Sequence, residues 1–589
     1  MKRAFDNPEL WIADTDDDVV KITQTLGMHD FAIGIDKAYA TDNPYSIRDI
    51  KYQPIRGISL CRDNVLWYVN IESNRRFNIL LDHLKAIRKP VTNSKETYYA
   101  LNSVVGYKMV SDSLYLYKYA GLRLPYVEDL YLALRVLYPS GINKSFELAD
   151  IARDYLNIDT KKLVVTFKEK IDFWKAWIVW KLYEKIYKDL GSDMRYLYNK
   201  LMLTEHNLID LTLRGLKIDS KELHKLYTQN YGQLYIKKRA VISAVGHEFN
   251  PDSNAQIVEY LQKHGLTSEA SGDMDTLGAL SVKDPVIEKL HAYKSMEYFM
   301  REVNKLKDAE YDGTIYGMYD FNAESFRVLS SEPNIQNMKH KHNINGQDIN
   351  LRTLFIPGDP DYVFVYCDYN QVELRILAHL SEDPNLVGVF KDNRDLHAEV
   401  AKSVFKLDCP VSDIKEKYSD LRSKAKVVNY GVPFGIGATG LAKQLKIDID
   451  SAQNLLRYWY GMFEGVQKFN DSIKARVMAG MPITNMFGVS HLYNRAMYES
   501  DGAMIRSATN WPTQSSAAIV ENVSLNRVGD AIHTNQLRAE LIMYIHDGYI
   551  YKVHRDDVER FVALAVPEFE KWHLAVPLIM EHEVIERWA

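Results

Sequence analysis

Residues 362–380, which read YVFVYCDYNQVELRILAHL, constrain the fold of this chain more than any other stretch. The apolar run 362–367 is rich in β-branched and aromatic residues, which is typical of a buried strand. Asp368 ends that run, and from Gln371 onward the apolar positions are spaced like one face of a helix. A carboxylate where a strand stops and the chain turns is well placed to hold a ligand or a metal ion. A helix-capping aspartate would give the same pattern, so both interpretations stay open.

The composition indicates a globular protein of several domains. A chain of 589 residues is too long for a single core and predicts about three or four domains. With a net charge of −5, no overall basic field indicates a nucleic-acid partner, so a polyanion site would be a local patch. The three cysteines, Cys61, Cys367 and Cys409, are too few and too scattered for a disulfide framework or a zinc site, which favours a reducing compartment.

The N-terminal sequence predicts no secretion or transit signal, because it lacks an apolar signal-peptide core and is too acidic for a transit peptide. No window approaches the roughly 18 apolar residues that a membrane span needs. We therefore predict a cytoplasmic location and no membrane partner.

The order of predicted elements divides the chain into three parts. Strands and turns over residues 31–71 are followed by helical patterns, which predicts an α/β domain ending near residue 200. Long helices are predicted over 201–309, and strands alternate with helices over 310–589. Basic residues cluster on the middle part, as in KKR at 237–239, where either a solvated face or phosphate contact fits the pattern.

A cationic helix face is predicted in LRSKAKVVNYGVPFG. Arg422, Lys426 and Tyr430 are spaced four residues apart, so they lie along one face of a helix and span roughly 12 Å. That span matches a nucleoside triphosphate, with cations for the phosphates and a ring for the sugar or base. An amphipathic surface helix whose cations happen to align is the open alternative.

A second carboxylate lies in LIMYIHDGYIYKV. Two apolar runs, 541–545 and 549–553, flank the sequence His-Asp-Gly, which predicts a hairpin with Asp547 at or near its tip. Asp-Gly is favoured in tight turns for backbone reasons alone, so the motif by itself needs no function. Together with Asp368 and the cationic helix, however, it supplies the parts of a metal-assisted displacement at phosphorus. That reaction needs two carboxylates for a pair of Mg²⁺ ions about 4 Å apart, and cations on a separate closing element.

Three segments in this order resemble the motifs of family A DNA polymerases, the Klenow-type enzymes. DYNQVELRILAHLSEDP resembles their first palm motif, LRSKAKVVNYGVPFG their fingers helix, and IHDGYIYKV their second palm motif. Four more segments are similar to flanking elements of the family: FRVLSSEPNIQN, LRTLFIPG, RSATNWPTQSSAAI and VPLIMEHEVIERW. The resemblance implies a DNA-directed DNA polymerase that extends a primer 3′ end with dNTPs and releases pyrophosphate.

The resemblance also implies a multidomain α/β fold. An RNase H-like, exonuclease-type domain would precede a right-hand polymerase with a helical thumb, an antiparallel-sheet palm and helical fingers. The implied boundaries are 1–200 for the exonuclease-like domain, 201–309 for the thumb, 310–385 and 491–589 for the palm, and 386–490 for the fingers. The compact size suits an enzyme of a phage or another small replicon better than a bacterial repair enzyme, and we expect a monomer whose partners are primer-template DNA and dNTPs.

The roles of the family carry over residue by residue. Asp368 and Asp547 would hold two Mg²⁺ ions, with the backbone carbonyl of Tyr369 as a further ligand. Contacts to the nucleotide would come from Arg422, Lys426, Tyr430, His397, Glu373, Phe434 and Gln371. Contacts to DNA would come from Arg327, Asn334, Arg506, Asn510, Gln514 and His546. In these sets Lys426 would protonate the leaving pyrophosphate, His397 would touch the β-phosphate, and Glu373 with Tyr430 would exclude ribonucleotides.

Three positions depart from the family pattern. Tyr430 stands where some members carry Phe, and its phenol predicts weak discrimination against dideoxynucleotides. Pro433 removes a helical hydrogen bond, which predicts that the fingers helix kinks or stops near Val432. Gly548 replaces the usual Glu after Asp547, so the role of that carboxylate is absent or supplied elsewhere.

The first domain, through GYKMVSDSLYLYKYAG and FELADIARDYL, resembles the proofreading 3′–5′ exonuclease domain of the family. Such a nuclease needs a cluster of carboxylates for two metal ions. The expected Asp-x-Glu pair falls on Gly34 and Asp36 in one register or on Asp36 and Ala38 in the other, and Asp112 matches a second acidic position. The late Tyr-x-x-x-Asp motif is missing from residues 170–180. We therefore predict a nuclease-shaped domain with little or no exonuclease activity.

Two other functions are compatible with parts of the pattern. A single-subunit RNA polymerase shares the palm chemistry, but Glu373 beside the fingers tyrosine argues against it. A catalytically idle DNA-binding scaffold would not need Asp368 and Asp547 both to be intact.

Overall fold

A computed structural model of the chain describes residues 9–13, 15–26, 30–37, 55–63, 65–71, 74–86, 104–124, 127–140, 145–161, 174–266, 272–321 and 324–588. Across these ranges every helix is too short or too polar to span a lipid bilayer. Two large β-sheets, four small sheets of two or three strands, a long helical pair and a compact group of helices make up the described fold.

The N-terminal part is a mixed sheet packed against helices. Its elements are β1 (Glu9–Ala13), α1 (Asp16–Leu26), β2 (Phe31–Lys37), β3 (Ile55–Arg62), β4 (Val65–Asn70), α2 (Asn74–Ala86), β5 (Val104–Gly106), α3 (Met109–Ala120), β6 (Val127–Asp129), α4 (Leu130–Leu137), α5 (Leu148–Asp154), α6 (Lys175–Asp189) and α7 (Gly191–Arg214). The six strands run in the order β1-β4-β3-β2-β5-β6. The β2-β3 and β3-β4 pairs are antiparallel and the other pairs are parallel. The strands predicted over 31–71 are confirmed.

A pair of long helices follows this sheet. Its elements are β7 (Leu216–Lys217), α8 (Ser220–Val245), α9 (Asn254–Lys263), α10 (Met274–Leu280) and α11 (Pro285–Ala309). Helices α8 and α11 pack against each other. Their N-termini are capped by Asp219, which accepts from the Glu222 amide, and by Asp284, which precedes Pro285. The helices predicted over 201–309 are confirmed.

The second sheet is antiparallel and lies at the centre of the C-terminal part. The elements before it and within it are β8 (Glu310–Tyr311), β9 (Thr314–Ile315), β10 (Met318–Phe321), β11 (Val328–Ser331), β12 (His342–Ile344), β13 (Gln347–Ile349) and β14 (Tyr362–Tyr369). Near the C-terminus follow α20 (Asp501–Thr534), β17 (Ala539–Ile545), β18 (Gly548–His554), α21 (Val558–Glu570) and β19 (Met580–Ile585). The strand order is β17-β18-β14-β19, and every pair is antiparallel.

A helical unit is inserted between the two halves of this sheet. It consists of α12 (Val372–Ser381), α13 (Pro384–Lys391), α14 (Leu396–Val404), α15 (Val411–Lys417), α16 (Ser419–Gly431), α17 (Ala438–Leu445), α18 (Ile449–Met462) and α19 (Glu464–Met478), followed by the short strands β15 (Ile483–Thr484) and β16 (Ser490–His491). A buried apolar cluster that includes Phe390, Val428 and Trp459 holds these helices together.

The local predictions around the central sheet are confirmed with one correction. The hairpin is formed by β17 and β18, and α16 ends at Gly431, just before Pro433. The prediction that the strand ends at Asp368 is wrong, because β14 continues to Tyr369. Its pairing with β19 extends it through both residues. The capping interpretation of Asp368 is also wrong, since Gln371 precedes the first turn of α12.

Three of the predicted domain boundaries fall inside single elements. The boundary at 200 lies within the 24-residue helix α7. The boundaries at 385 and 490 lie within α13 and β16. Continuous elements therefore connect neighbouring parts of the chain, and the boundaries stay predictions.

Candidate active site

Asp368 and Asp547 lie side by side at one end of the central sheet. Strands β14 and β18 pair so that Asp368 is opposite Gly548, the residue after Asp547. The amide of Tyr369 donates to the carbonyl of Asp547 at 3.3 Å, which ties the hairpin turn to the neighbouring strand. The turn consists of His546, at φ 53°, and Asp547. Strand pairing thus brings together two carboxylates that are far apart in sequence.

The negative charges of these two aspartates repel each other. Burial and the neighbouring Asp547 raise the pKa of Asp368 to about 6, with a smaller contribution from Glu581. Burial also raises the pKa of Asp547, against the opposing effects of His546 and Arg327. Two repelling carboxylates in a largely buried site fit a divalent cation, whose charge would relieve the repulsion.

The donor set around the pair fits Mg²⁺ completed by a substrate. Within the described ranges, no three His, Cys, Asp or Glu side chains form a group that could hold a metal ion. Mg²⁺ binds through one or two carboxylates together with water and substrate phosphates. Asp368 and Asp547 match that pattern, because a bound nucleotide would supply the remaining oxygens.

Tyr366 fills the space beside Gly548. Tyr366 and Asp368 are two residues apart on β14 and therefore share one face of the sheet. A Cβ at position 548 would lie 2.8 Å from Oδ1 of Asp368 and 3.0 Å from both the ring and the hydroxyl of Tyr366. The same hydroxyl forms a hydrogen bond with Asp368 that opposes the rise in its pKa. The Tyr366 hydroxyl therefore contacts the Asp368 carboxylate and occupies the space that a side chain at position 548 would need.

Helix α16 carries the predicted cationic face next to this pair. Arg422 donates from Nε to Asp395 at 2.8 Å, and this ion pair fixes the guanidinium. Lys426 forms no ion pair with any residue in the part of the chain that the structure describes. Burial and then the charges of Asp547 and Asp368 raise the pKa of Tyr430 to about 12. The phenol of α16 therefore lies in the field of both aspartates.

His397 is buried on α14 against the same helix. Its Nδ1 lies 2.9 Å from Nδ2 of Asn429, and its ring centroid is 5.7 Å from that of Tyr430. Burial and then the charge of Arg422 lower the pKa of His397 to about 4, so the imidazole is neutral at pH 7. Phe434, just beyond α16, packs against the apolar cluster of the helical unit.

Glu373 and Arg327 form an ion pair across the site. Glu373 is in the first turn of α12, and Arg327 lies directly before β11. Gln371, at φ 55°, keeps its Oε1 buried without a hydrogen-bond partner in the described ranges. Asn334 accepts a hydrogen bond from the amide of Asn337 and is exposed. The predicted DNA contact Arg327 is thus held by a predicted nucleotide contact.

Helix α20 presents three of the predicted DNA contacts along one face. Arg506, Asn510 and Gln514 are four residues apart, with Arg506 exposed and the other two half-buried. A Cβ at Gly435, where φ is 84°, would lie 3.2 Å from Cγ of Arg506, so the segment that follows α16 approaches this helix. His546 is exposed at the hairpin turn. These residues therefore place polar groups along α20 and at the hairpin turn.

Three residues near the aspartates were not predicted. Tyr366 could have been found, because strand alternation places it beside Asp368. Glu581 is opposite Asp368 on β19, and its position depends on a strand pair formed late in the chain. Glu521 is buried on α20 next to Tyr544, and burial followed by the charge of Asp547 raises its pKa to about 8. No local pattern signals the last two, since helix and strand packing bring them to the site.

The predicted nuclease remnant contains carboxylates that are neutralised by cations. Lys37 and Lys175 contact the two oxygens of Asp112 at 2.9 and 2.7 Å. Burial alone would raise the pKa of Asp112, but the two lysines outweigh it and hold the pKa below its usual value. A Cβ at Gly34 would lie 2.8 Å from Ser59 Oγ and 2.9 Å from Lys175 Cβ, so no carboxylate fits there.

The other remnant carboxylate is also occupied. Asp36 accepts from Arg56 at 2.6 Å and from the hydroxyl of Tyr68 at 2.9 Å. Ala38 and residues 170–173 lie outside the described residues. The carboxylates that sequence predicts for a metal site therefore have protein partners instead.

Replacing Asp112 with Asn is expected to lower the free energy of unfolding of the N-terminal part by about 3 kcal/mol, because it leaves two largely buried lysines without their counter-charge. The measurement is the midpoint of the first urea transition. Asp63→Asn, at an exposed carboxylate of the same sheet, is the control and should shift it little. Unchanged or increased stability of Asp112→Asn would contradict this prediction, because it would show that the Asp112 carboxylate does not stabilise the folded N-terminal part.

The described fold is that of a polymerase domain. The POL domain of Pol1 from M. smegmatis, solved in complex with DNA primer-template and dNTP, aligns with 98% of this chain and 99% of its own, with a TM-score of 0.79 and 22% identity. The family model for DNA polymerase family A matches residues 220–589. The match covers more than half of the chain, and the chain belongs to DNA polymerase family A.

Curated relatives are similar over about two thirds of the chain. DNA polymerase I of Geobacillus stearothermophilus is 27% identical over an alignment of 449 residues that covers 70% of this chain and 48% of the relative. DNA polymerase I of Chloroflexus aurantiacus is 28% identical over an alignment of 408 residues that covers 65% of this chain and 42% of the relative. The chain spans about half the length of the curated relatives it matches.

Proposed function

We propose that this chain is a DNA-directed DNA polymerase that adds dNTPs to a primer 3′ end by two-metal phosphoryl transfer. The observation that carries the proposal is the placement of Asp368 beside Asp547, with Tyr430 of α16 in the field of both. Family membership and the names of the relatives support the same reaction class. Primer-template DNA and dNTPs are the proposed partners, as in the complex of the M. smegmatis domain.

The site residues divide the work of phosphoryl transfer. Asp368, Asp547 and the carbonyl of Tyr369 would hold two Mg²⁺ ions. When bound, these ions supply Lewis-acid activation of the primer hydroxyl and neutralise charge on the phosphates. Arg422 and Lys426 would bind the triphosphate, and Lys426, which has no ion-pair partner among the described residues, would give its proton to the leaving pyrophosphate.

Selection of the sugar and of the base pair would use the remaining residues. Glu373 and Tyr430 would crowd the 2′ position of the nucleotide. DNA would compete with Glu373 for Arg327, which would then reach the minor groove. Acceptors are present in the minor groove whatever the base pair, so the polar face of α20 can sense pair shape without reading sequence.

The same proposal assigns the thumb, palm and fingers of a right-hand polymerase and the N-terminal domain. Residues 201–309 would form the thumb, 310–385 and 491–589 the palm, and 386–490 the fingers. Residues 1–200 would be an exonuclease-type domain without proofreading activity. The lysines that contact Asp112, and the filled space at Gly34, support its inactivity.

A primer-extension assay with single nucleotides tests the function. With a labelled primer, Mg²⁺ and one dNTP at a time, we expect addition only of the nucleotide complementary to the template. An arm with NTPs separates the RNA polymerase alternative, which requires NTP addition at least as fast. No addition in any arm, with primer-template binding retained, would favour the idle scaffold and contradict the proposal.

Tyr430→Phe is expected to strengthen discrimination against dideoxynucleotides by roughly tenfold or more, because the phenol of the wild type offers a hydrogen bond that a missing 3′-hydroxyl no longer supplies. The measurement is the ratio of dNTP to ddNTP incorporation in a competition assay. Tyr458→Phe, at an exposed tyrosine of α18, is the control. Strong discrimination in the wild type that Tyr430→Phe leaves unchanged would exclude this role.

The pure wild-type protein is expected to leave labelled single-stranded DNA intact in the presence of Mg²⁺, because its nuclease-type carboxylates are bound by lysine and arginine. Primer extension by the same preparation shows that the protein is active. Progressive shortening of the DNA that requires Mg²⁺ would contradict the assignment of an inactive domain.

A further inference from the structure

A buried chain of three hydrogen-bonding side chains ends at His397. The indole Nε1 of Trp459 lies 2.8 Å from Oδ1 of Asn429, and Nδ2 of Asn429 lies 2.9 Å from Nδ1 of His397. Trp459 and Asn429 are fully buried and His397 is 3% exposed. The three residues come from α18, α16 and α14, so the hydrogen-bonded chain connects three helices of the helical unit.

The direction of these hydrogen bonds is fixed by the indole. An indole N–H can only donate, so the oxygen of the Asn429 amide must face Trp459. The amide NH₂ then faces His397 and donates, which leaves Nδ1 of His397 as the acceptor. A neutral imidazole with an acceptor at Nδ1 carries its proton on Nε2.

The other tautomer is disfavoured inside this chain. With a proton on Nδ1, two donors would face each other at 2.9 Å. Turning the Asn429 amide over would remove that clash but would place its NH₂ against the indole N–H. Either arrangement leaves a buried donor without a partner, which native structures avoid.

The charges around His397 also favour the neutral ring. Arg422 and Lys426 of α16 oppose its protonation, whereas Asp395, at the start of α14, favours it. The Asp395 carboxylate is already paired with Arg422. In the described part of the chain, Nε2 of His397 has no hydrogen-bond partner, so its proton is available to a ligand.

We propose that Asn429 and Trp459 are positioning residues that fix His397 as a neutral Nε2–H donor to a phosphate oxygen of the incoming nucleotide. This inference rests on the proposed polymerase function. A fixed neutral donor adds a directed hydrogen bond to the phosphate without placing a third positive charge beside Arg422 and Lys426. The hydrogen-bonded chain therefore determines which ring nitrogen meets the triphosphate.

Trp459→Phe tests the hydrogen-bonded chain because it keeps an aromatic ring and removes the indole N–H that orients the Asn429 amide. The Asn429 amide can then turn over, so that its oxygen accepts a hydrogen bond from a protonated Nδ1, which leaves Nε2 as an acceptor that repels phosphate. We expect the KM for dNTP to rise several-fold with a smaller change in kcat. Trp572→Phe is the matched control. Its indole also donates a hydrogen bond of 2.8 Å, but to Ser524 on α20 and not to a residue of α16.

His397→Phe is expected to raise the KM for dNTP by about tenfold, the order of one charge-assisted hydrogen bond. In the double variant Trp459→Phe/His397→Phe, the Trp459 substitution should add nothing, because its effect acts through the imidazole. Additive effects of the two substitutions would overturn the proposal, since they would indicate general damage to the helical unit.

Nitrogen NMR of ¹⁵N-histidine-labelled protein measures the tautomer without any turnover. The His397 signals are assigned by their loss in His397→Phe, and we expect a protonated Nε2 with an unprotonated Nδ1 at pH 7. A protonated Nδ1 or an imidazolium in the wild type would overturn the proposal. A wild type with the expected tautomer but no nucleotide incorporation would instead show that the polymerase assignment, and with it the phosphate ligand, is wrong.

Discussion

Replacing Asp547 with Asn is expected to lower the rate of single-nucleotide addition by at least about 10³-fold. The carboxylate lies beside Asp368 in the turn just before β18, where an amide cannot replace its charge. Primer-template binding should change little, because the proposed DNA contacts on α20 are untouched. Single-turnover kinetics and a binding titration measure the two effects separately. Asp368→Asn is expected to behave in the same way.

Stability separates this loss of activity from misfolding. Burial raises the pKa of Asp547 above its unfolded value, so its ionised form costs folding free energy at neutral pH and the cost falls as pH decreases through the folded pKa. Without divalent ions, Asp547→Asn should therefore have a Tm equal to or above that of the wild type. Asp556→Asn, an exposed aspartate beyond the far end of β18, is the matched control and should keep full activity. Full activity of Asp547→Asn would remove the aspartate pair from the mechanism.

Gly548→Ala is expected to lower the incorporation rate by about 10²-fold, because the new Cβ would meet Oδ1 of Asp368 at 2.8 Å and push that carboxylate out of place. The contact atoms are side-chain ends, so the chain can relax and stay folded while the site is displaced. Gly461→Ala, where a Cβ would meet nothing within 4 Å, is the matched control.

A second-site substitution identifies the cause of that loss. Gly548→Glu alone should be at least as slow as Gly548→Ala. In the double variant Tyr366→Ala/Gly548→Glu, the ring that fills this space is gone, and part of the rate should return. A double variant slower than both Tyr366→Ala and Gly548→Glu would contradict this explanation. A wild-type incorporation rate for Gly548→Ala would contradict it as well.

The parts of the site that local patterns define could be predicted from the sequence. Strand alternation and the Asp-Gly turn predict the hairpin that carries Asp547. Helical spacing aligns Arg422, Lys426 and Tyr430, and the proline after Val432 predicts where that helix stops. Each of these features depends on residues within one or two turns of the chain, which is the range over which periodicity is informative.

The parts that depend on distant contacts could not be predicted. Pairing with β19, more than two hundred residues later, extends β14 past Asp368. Lys175 reaches Asp112 from a helix that follows the carboxylate by 63 residues. Asn429 reads as an ordinary helix residue until Trp459 and His397 are seen to contact it. Residue spacing along the sequence does not predict such contacts, because they form only when whole helices and strands pack together.

Counting Mn²⁺ ions in a stalled ternary complex tests the central claim most directly. The complex contains a dideoxy-terminated primer, its template and the next complementary dNTP, and Mn²⁺ binding is followed by electron paramagnetic resonance. We expect two bound ions in the wild type and fewer in both Asp368→Asn and Asp547→Asn. Two ions in both variants, or none in the wild type, would contradict the claim that this aspartate pair holds the metals of DNA synthesis.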